Sequence, residues 1–325
     1  MPPLLEVKDL IMYYETMKGD VKAVDDVRFA LEKGEALGLA GESGCGKTSV
    51  ALAMLKILPY NAKIFSGEIL LGGVNILTLS DEEIRKKVRW KRISMVPQAA
   101  MNALNPVFRV SEQIAEAIIL HEQVSENEAK KRTVELLERV GIDPSRADHY
   151  PHEFSGGMKQ RAMIAMALAC NPEIIIADEP TTALDVIVQG QVLKVIKTLQ
   201  RELGLSMILI SHDLSVVAQT CDRSIIMYAG KIAEDASTEE LFAEPLHPYS
   251  VGLIGAFPSL IGERKRLESI RGSPPNLLDP PPGCRFHPRC PHAREICSAE
   301  VPPLLETHRR HYVSCHMVNK HPEYS

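Results

Sequence analysis

The chain has 325 residues, 45% hydrophobic and 24% charged, the proportions of a globular protein with room for roughly two domains. A net charge of −5 and a pI near 6.1 give no global basic signature for nucleic acid and leave only local patches. No apolar run reaches the roughly 18 residues of a spanning helix, and Met1-Pro2-Pro3-Leu4-Leu5-Glu6 lacks the basic start and apolar stretch of an export signal, so a chain that neither spans a membrane by itself nor is exported is expected.

In chain order, Leu5–Tyr14 and Ala23–Leu31 read as β-patterned runs, and Ala36–Ala40 as a buried strand. Gly41-Glu42-Ser43-Gly44-Cys45-Gly46-Lys47-Thr48 then matches G-x-x-x-x-G-K-[ST], the phosphate-binding loop. Its small residues let successive backbone N–H groups turn toward one anion. Lys47 is expected to reach the β- and γ-phosphates, and the Thr48 hydroxyl to take a place on Mg²⁺. Ser49–Leu55 reads as the following helix, whose N-terminal dipole adds positive potential, so Gly41, Ser43, Gly44, Cys45, Gly46, Lys47, Thr48 and Ser49 form the expected phosphate-binding set.

Glu68–Leu71 and Ile93–Val96 are further short strands, the second ending just before Gln98. Between Ser111 and Val140, the spacing of Ile114, Ile118, Leu136, Leu137 and Val140 among charges predicts amphipathic helices. In Phe154-Ser155-Gly156-Gly157-Met158-Lys159-Gln160-Arg161, Ser155 with the backbone of Gly156 and Gly157 opens a helix and offers a second anion cradle. Strands at Ile174–Ala177 and Met207–Ile210, with a helix over Val186–Leu203 between them, are fully apolar and imply a parallel sheet covered on both faces. The first ends in two acids. Asp178 is the expected Mg²⁺ carboxylate, and Glu179 the base that polarises the attacking water. A β pair, Ser224–Tyr228 and Lys231–Glu234, turns at Ala229-Gly230.

Beyond about residue 256 the composition becomes rich in proline and histidine and short of apolar residues, so this segment needs something other than a core to order it. Of seven cysteines, Cys45, Cys170 and Cys221 are scattered, whereas Cys284-x5-Cys290-x6-Cys297-x17-Cys315 crowds the C-terminus. Four thiolates suffice for tetrahedral Zn²⁺ or a [4Fe–4S] cluster. The wide spacing favours the cluster, while six nearby histidines keep zinc as the alternative. Arg285, Arg289 and Arg294 are expected to offset the cluster's negative charge.

Together the ordered motifs resemble those of ABC-transporter ATPases, whose signature is usually L-S-G-G-Q. Here Phe154 stands for the Leu and Met158 for the Gln, which puts the amide contact of that Gln in doubt. The resemblance implies ATP and Mg²⁺ as ligands and an α/β P-loop NTPase core with antiparallel β and helical subdomains. By position, Gln98 matches the Q-loop glutamine on Mg²⁺ and water, Ala183-Leu184-Asp185 the D-loop, and His212 the switch histidine at the γ-phosphate. Tyr14 matches the adenine-stacking aromatic, with Tyr13 as its competitor.

His247-Pro248-Tyr249-Ser250 and the later Pro-Pro-Gly-Cys-Arg-Phe-His-Pro-Arg-Cys resemble the C-terminal extension of dipeptide, oligopeptide and nickel importer ATPases. This implies a nucleotide-binding domain at 1–255, with a helical subdomain at about 100–165, and a loop-rich cysteine extension at 256–325. It also implies peptide import at the cytoplasmic face of the membrane. The implied partners are a homologous second ATP-binding subunit, two transmembrane permease subunits and, indirectly, an external solute-binding protein. Nickel or another solute is the alternative cargo. A soluble ABC ATPase acting on nucleic acid or ribosomes is the alternative class, disfavoured by the single P-loop and the short helical insertion.

Overall fold

The computed structural model describes residues 2–98, 103–256, 270–308 and 310–318. The chain forms two compact units, one of Met1–Leu31, Ala36–Leu77 and Ser211–Ser325, the other of Glu32–Glu35 and Thr78–Ile210. Its strands are β1 (Leu5–Thr16), β2 (Gly19–Leu31), β3 (Ala36–Ala40), β4 (Ala62–Leu71), β5 (Val74–Asn75), β6 (Ile93–Val96), β7 (Ile174–Asp178), β8 (Ser206–Ser211), β9 (Arg223–Tyr228), β10 (Lys231–Ser237), β11 (Leu305–His308) and β12 (His311–Val313).

In the first unit, β2-β1-β4-β5 is an antiparallel sheet. Its buried face shows how sequence parity and backbone geometry cooperate. Leu5 and Val7 are buried at odd positions of β1, and Leu10 and Met12 at even ones. The register shift between Val7 and Leu10, around Asp9 with φ 45°, changes the parity and keeps all four on the core side.

The same unit holds β11-β12-β10-β9-β3, in which β3 and β9 are parallel and the remaining pairs antiparallel. The described part of the cysteine-rich extension is thus continuous with this sheet, since Glu234 of β10 pairs with Val313 of β12. A segment poor in apolar residues is ordered by joining an existing ladder.

In the second unit, β8, β7 and β6 run parallel, with Ile174 opposite both Ile93 and Ser206. Every residue of β7 and β8 is buried, as expected for strands covered on both faces. The helices Val110–Glu122, Glu126–Arg139, Gly156–Ala167 and Val186–Leu203 belong to this unit. Ile114, Ile118, Leu136, Leu137 and Val140, the positions chosen by periodicity, are all buried. Glu68–Leu71 is the end of the longer β4, in which Ser66 and Gly67 sit beside the β1 irregularity and hide the strand pattern.

Candidate functional site

The phosphate loop leaves β3 at Gly41 and enters the helix Lys47–Leu55. Two of its glycines are dictated by the backbone. Gly41 has φ 143° and Gly46 φ 106°, and an added Cβ would lie 2.2 Å from the Met227 carbonyl oxygen or 2.1 Å from that of Ala23. Gly46 caps the helix with no side-chain acceptor, so no cap side chain stands between the helix N-terminus and an anion.

Lys47 is almost fully buried. Its Nζ donates to the Gly41 and Glu42 carbonyl oxygens at 2.8 and 3.0 Å, and lies 3.5 Å from Cys45 Sγ. The ammonium is therefore held folded over its own loop. Burial pushes the Cys45 thiol up and so disfavours its thiolate form. Ser43 and Gly44 are exposed at the tip, and Thr48 is half-buried.

The Tyr14 hydroxyl is 3.0 Å from Ser49 Oγ, which ties the expected adenine platform to the helix of the phosphate loop. Tyr13 is engaged elsewhere: it donates to Asp25 Oδ1 at 3.0 Å, and its ring lies 5.1 Å from that of Phe65. His212 is exposed just beyond β8, before an Asp213-capped helix, Leu214–Thr220.

In the second unit, Asp178 ends β7 fully buried, and Glu179 follows it with a left-handed backbone, φ 46°. That conformation is uncommon in a residue with a side chain and turns the chain sharply out of the strand. Gln98 Nε2 donates to Glu179 Oε2 at 3.1 Å, and Thr182 Oγ1 donates to the same oxygen at 3.0 Å. Two of the predicted catalytic side chains are therefore in contact. Thr182 is an addition that its place three residues after Glu179 could have suggested.

Ser155 caps the helix Gly156–Ala167 by accepting from the Met158 N–H. Asp185 caps Val186–Leu203, accepting from the Ile187 and Val188 N–H groups at 3.1 and 3.0 Å. A Cβ on Gly157 would lie 2.4 Å from Val188 Cγ1, so this glycine permits close packing of those two helices.

Cys284, Cys290, Cys297 and Cys315 line one small cavity, with His287 and His316 among its other walls. Burial pushes the Cys284 thiol up to about 11, and the sulfurs of Cys315, Cys297 and Cys290 act in the same direction. Among the described residues, no group of three or more His, Cys, Asp or Glu side chains is placed to hold a metal ion. Neither expected occupant, a single zinc or a [4Fe–4S] cluster, therefore finds a preformed ligand set among the described residues. Of the six histidines offered as alternative zinc ligands, His311 places Nε2 2.7 Å from Glu234 Oε1, and His316 places Nε2 2.9 Å from the Glu300 carbonyl oxygen.

The expected electrostatic role of Arg285 and Arg289 needs correction. Arg285 pairs with Asp25, and Arg289 with Glu42 of the phosphate loop. Both acids are specific partners outside the cysteine cavity.

Residues 24–182 match the family model described as ABC transporter, and residues 233–297 the one described as oligopeptide/dipeptide transporter, C-terminal region. The chain is 48% identical to the oligopeptide transport ATP-binding protein OppD of Escherichia coli K12, over 93% of this chain and 90% of that one. It is 44% identical to the dipeptide transport ATP-binding protein DppD of Bacillus subtilis 168, over 100% of this chain and 98% of that one. Among solved structures, it is similar to the post-hydrolysis dimer of the ATP-binding cassette MJ0796 with ADP and Pi, at 28% identity and TM-score 0.65 over 72% of this chain and 98% of that one.

Proposed function

The chain belongs to the ABC-transporter family of ATP-binding subunits, and from that premise we propose that it hydrolyses ATP to drive uptake of dipeptides or oligopeptides through a membrane permease. ATP hydrolysis is the family's activity. The peptide cargo follows from the relatives named above and from the match of residues 233–297 to the oligopeptide/dipeptide C-terminal region.

The single observation that carries a hydrolytic rather than a purely binding role is the Gln98–Glu179–Thr182 network. It aims a carboxylate and orients it from two sides, as a base that must take a proton from water requires. Lys47, the loop N–H groups and Ser49 hold the phosphates in this reading, and Tyr14 supports adenine. Thr48, Gln98 and Asp178 hold Mg²⁺, which neutralises charge developing on the phosphate oxygens. His212 contacts the γ-phosphate. Ser155, Gly156, Gly157 and Asp185 serve nucleotide held by a homologous second subunit.

Val186 and Ile187 are 82% and 76% exposed immediately after Asp185, and such an apolar pair suits a protein interface. Val107 and Phe108, also exposed, suit a permease contact. Among the described residues no helix is long and apolar enough to cross a membrane. The peripheral position on the cytoplasmic face proposed for the subunit rests on its relatives, which are ATP-binding proteins of transporters. The domain division proposed is 1–255, with helices at about 100–165, followed by the extension 256–325.

For the four cysteines we propose a [4Fe–4S] cluster. The supporting observation is that all four cysteines line one small cavity. A cubane takes one thiolate per iron and so tolerates more widely separated sulfurs. Its role here is to order the extension.

Co-expression with the permease and the second ATP-binding subunit tests the reading. The chain is expected to sediment with membranes and to hydrolyse ATP faster when peptide-loaded binding protein is added. Recovery with nucleic acid instead, with no response to peptide, would contradict it.

A further inference from the structure

Two short stretches beside the cysteine cavity point away from it. Arg285 follows Cys284, Arg289 precedes Cys290, and each guanidinium is nearly buried. Arg289 places its donors with no remainder: Nη1 and Nη2 reach Glu42 Oε2 and Oε1 at 2.6 and 2.9 Å, Nη1 also reaches the Tyr228 hydroxyl at 3.2 Å, and Nε and Nη2 reach the Arg271 and Gly272 carbonyl oxygens at 2.9 and 3.4 Å. The fork-to-fork pairing fixes both position and orientation of the acceptor carboxylate.

That carboxylate belongs to the second residue of the phosphate loop. The Glu42 N–H is held as well, donating to the hydroxyl of the fully buried Tyr249 at 2.9 Å. Tyr249 in turn packs against Tyr228 and Phe286, with ring centroids 4.6 and 5.4 Å away. Arg285 repeats the pattern toward the expected adenine side: it pairs with Asp25, which also accepts from Tyr13, the neighbour of Tyr14.

We propose that Arg289 is a positioning residue for ATP: by gripping and neutralising Glu42, it holds the phosphate loop in its binding conformation and screens the one acid in that loop from the incoming phosphates. This rests on the reading of residues 41–48 as the phosphate loop. A loop ordered in advance binds without the ordering cost being drawn from affinity, and an unpaired carboxylate beside a polyphosphate opposes binding directly. The Arg289 donors are taken up by Glu42, Tyr228 and two carbonyl oxygens and leave none for the nucleotide, so its effect falls on affinity rather than on the chemical step.

The test is Mg²⁺-dependent titration of a fluorescent ATP analogue against the full chain, with ATP turnover, iron content and thermal midpoint read in parallel. Arg289→Gln should raise Kd about tenfold, since one coupled charge pair is lost, while kcat at saturating ATP stays within about twofold. Adding Glu42→Gln should restore Kd to within about threefold of wild type, because it removes the exposed charge that Arg289 had screened.

A purely structural role predicts the opposite, with the double variant as weak as Arg289→Gln or weaker. That outcome, or a folded Arg289→Gln with wild-type Kd, would overturn the proposal. If Arg289→Gln fails to fold, Arg289→Lys keeps the charge and loses the fork. It should then weaken binding about threefold, and wild-type affinity there would overturn the proposal equally. Lys47→Ala serves as the reference: full ATP binding in that variant would sink the phosphate-loop reading itself, not the role of Arg289.

Discussion

The phosphate loop and the cysteine-rich extension belong to the same compact unit, yet they are specified in opposite ways. Residues 41–48 are contiguous, and their geometry is enforced by backbone: Gly41 and Gly46 stand where any side chain would strike a carbonyl oxygen. The extension is ordered by distant partners, through β12 on β10, His311 on Glu234, and Arg289 on Glu42. Local backbone rules leave a motif in the sequence; ties between residues from 77 to 247 positions apart leave only unexplained charges.

The sharpest way to separate the two regions is to remove chemistry from one without touching the other. Glu179→Gln keeps the shape beside Gln98 and Thr182 while deleting the base, so turnover should fall by about 10² to 10⁴ with ATP binding retained. Single-turnover hydrolysis beside equilibrium binding measures both, and near-normal turnover would remove Glu179 from the role of base.

Gly46→Ala acts on the loop itself. A Cβ 2.1 Å from a backbone oxygen, at φ 106°, forces the loop to shift, and a cost of about 2–3 kcal/mol should appear as at least tenfold weaker nucleotide binding. An alanine variant with unchanged Kd would show that the loop tolerates another conformation.

Cys290→Ser probes the extension. Anaerobically purified wild type should be brown, with roughly four irons per chain, and the variant should lose both colour and protease resistance beyond residue 270. Because Cys290 follows Arg289, nucleotide binding should weaken in the same direction as in Arg289→Gln without being abolished. One zinc and no iron in the wild type would refute the cluster.

The smallest effect concerns acid. Burial pulls His247 down to about 4, partly opposed by the nearby Glu234 carboxylate, so the imidazole is neutral where an unfolded chain would already take up a proton. Its contribution to stability is complete above about pH 6.5 and is lost as pH falls toward 4, where the unfolded state binds the extra proton. Thermal midpoints from pH 8 to 5 should therefore drop more steeply for wild type than for His247→Asn. Equal slopes would assign the acid sensitivity elsewhere.

Periodicity and motif spacing made much of this molecule legible. The strand Ala36–Ala40, the strand Ile93–Val96 and the helix Val186–Leu203 lie where the sequence places them. Asp178 and Glu179 were readable because an apolar strand ending in two acids is a local pattern. Ser155 and Asp185 stand out by motif position, but their capping of the helices that they open shows only in three dimensions. Glu42 was passed over as a variable position inside a motif, and Arg289 was read as a counter-charge for its cysteine neighbours. Their pairing spans 247 positions, for which no periodicity exists.

The most direct measurement of what the chain does is uptake of a labelled oligopeptide into proteoliposomes containing the permease, the second ATP-binding subunit and this chain, with ATP on the side of the ATPases. Uptake should require ATP and should collapse when this chain carries Glu179→Gln. Uptake that persists at the wild-type rate with Glu179→Gln, or ATP-driven transport of other solutes with none of peptides, would contradict a peptide importer powered by this subunit.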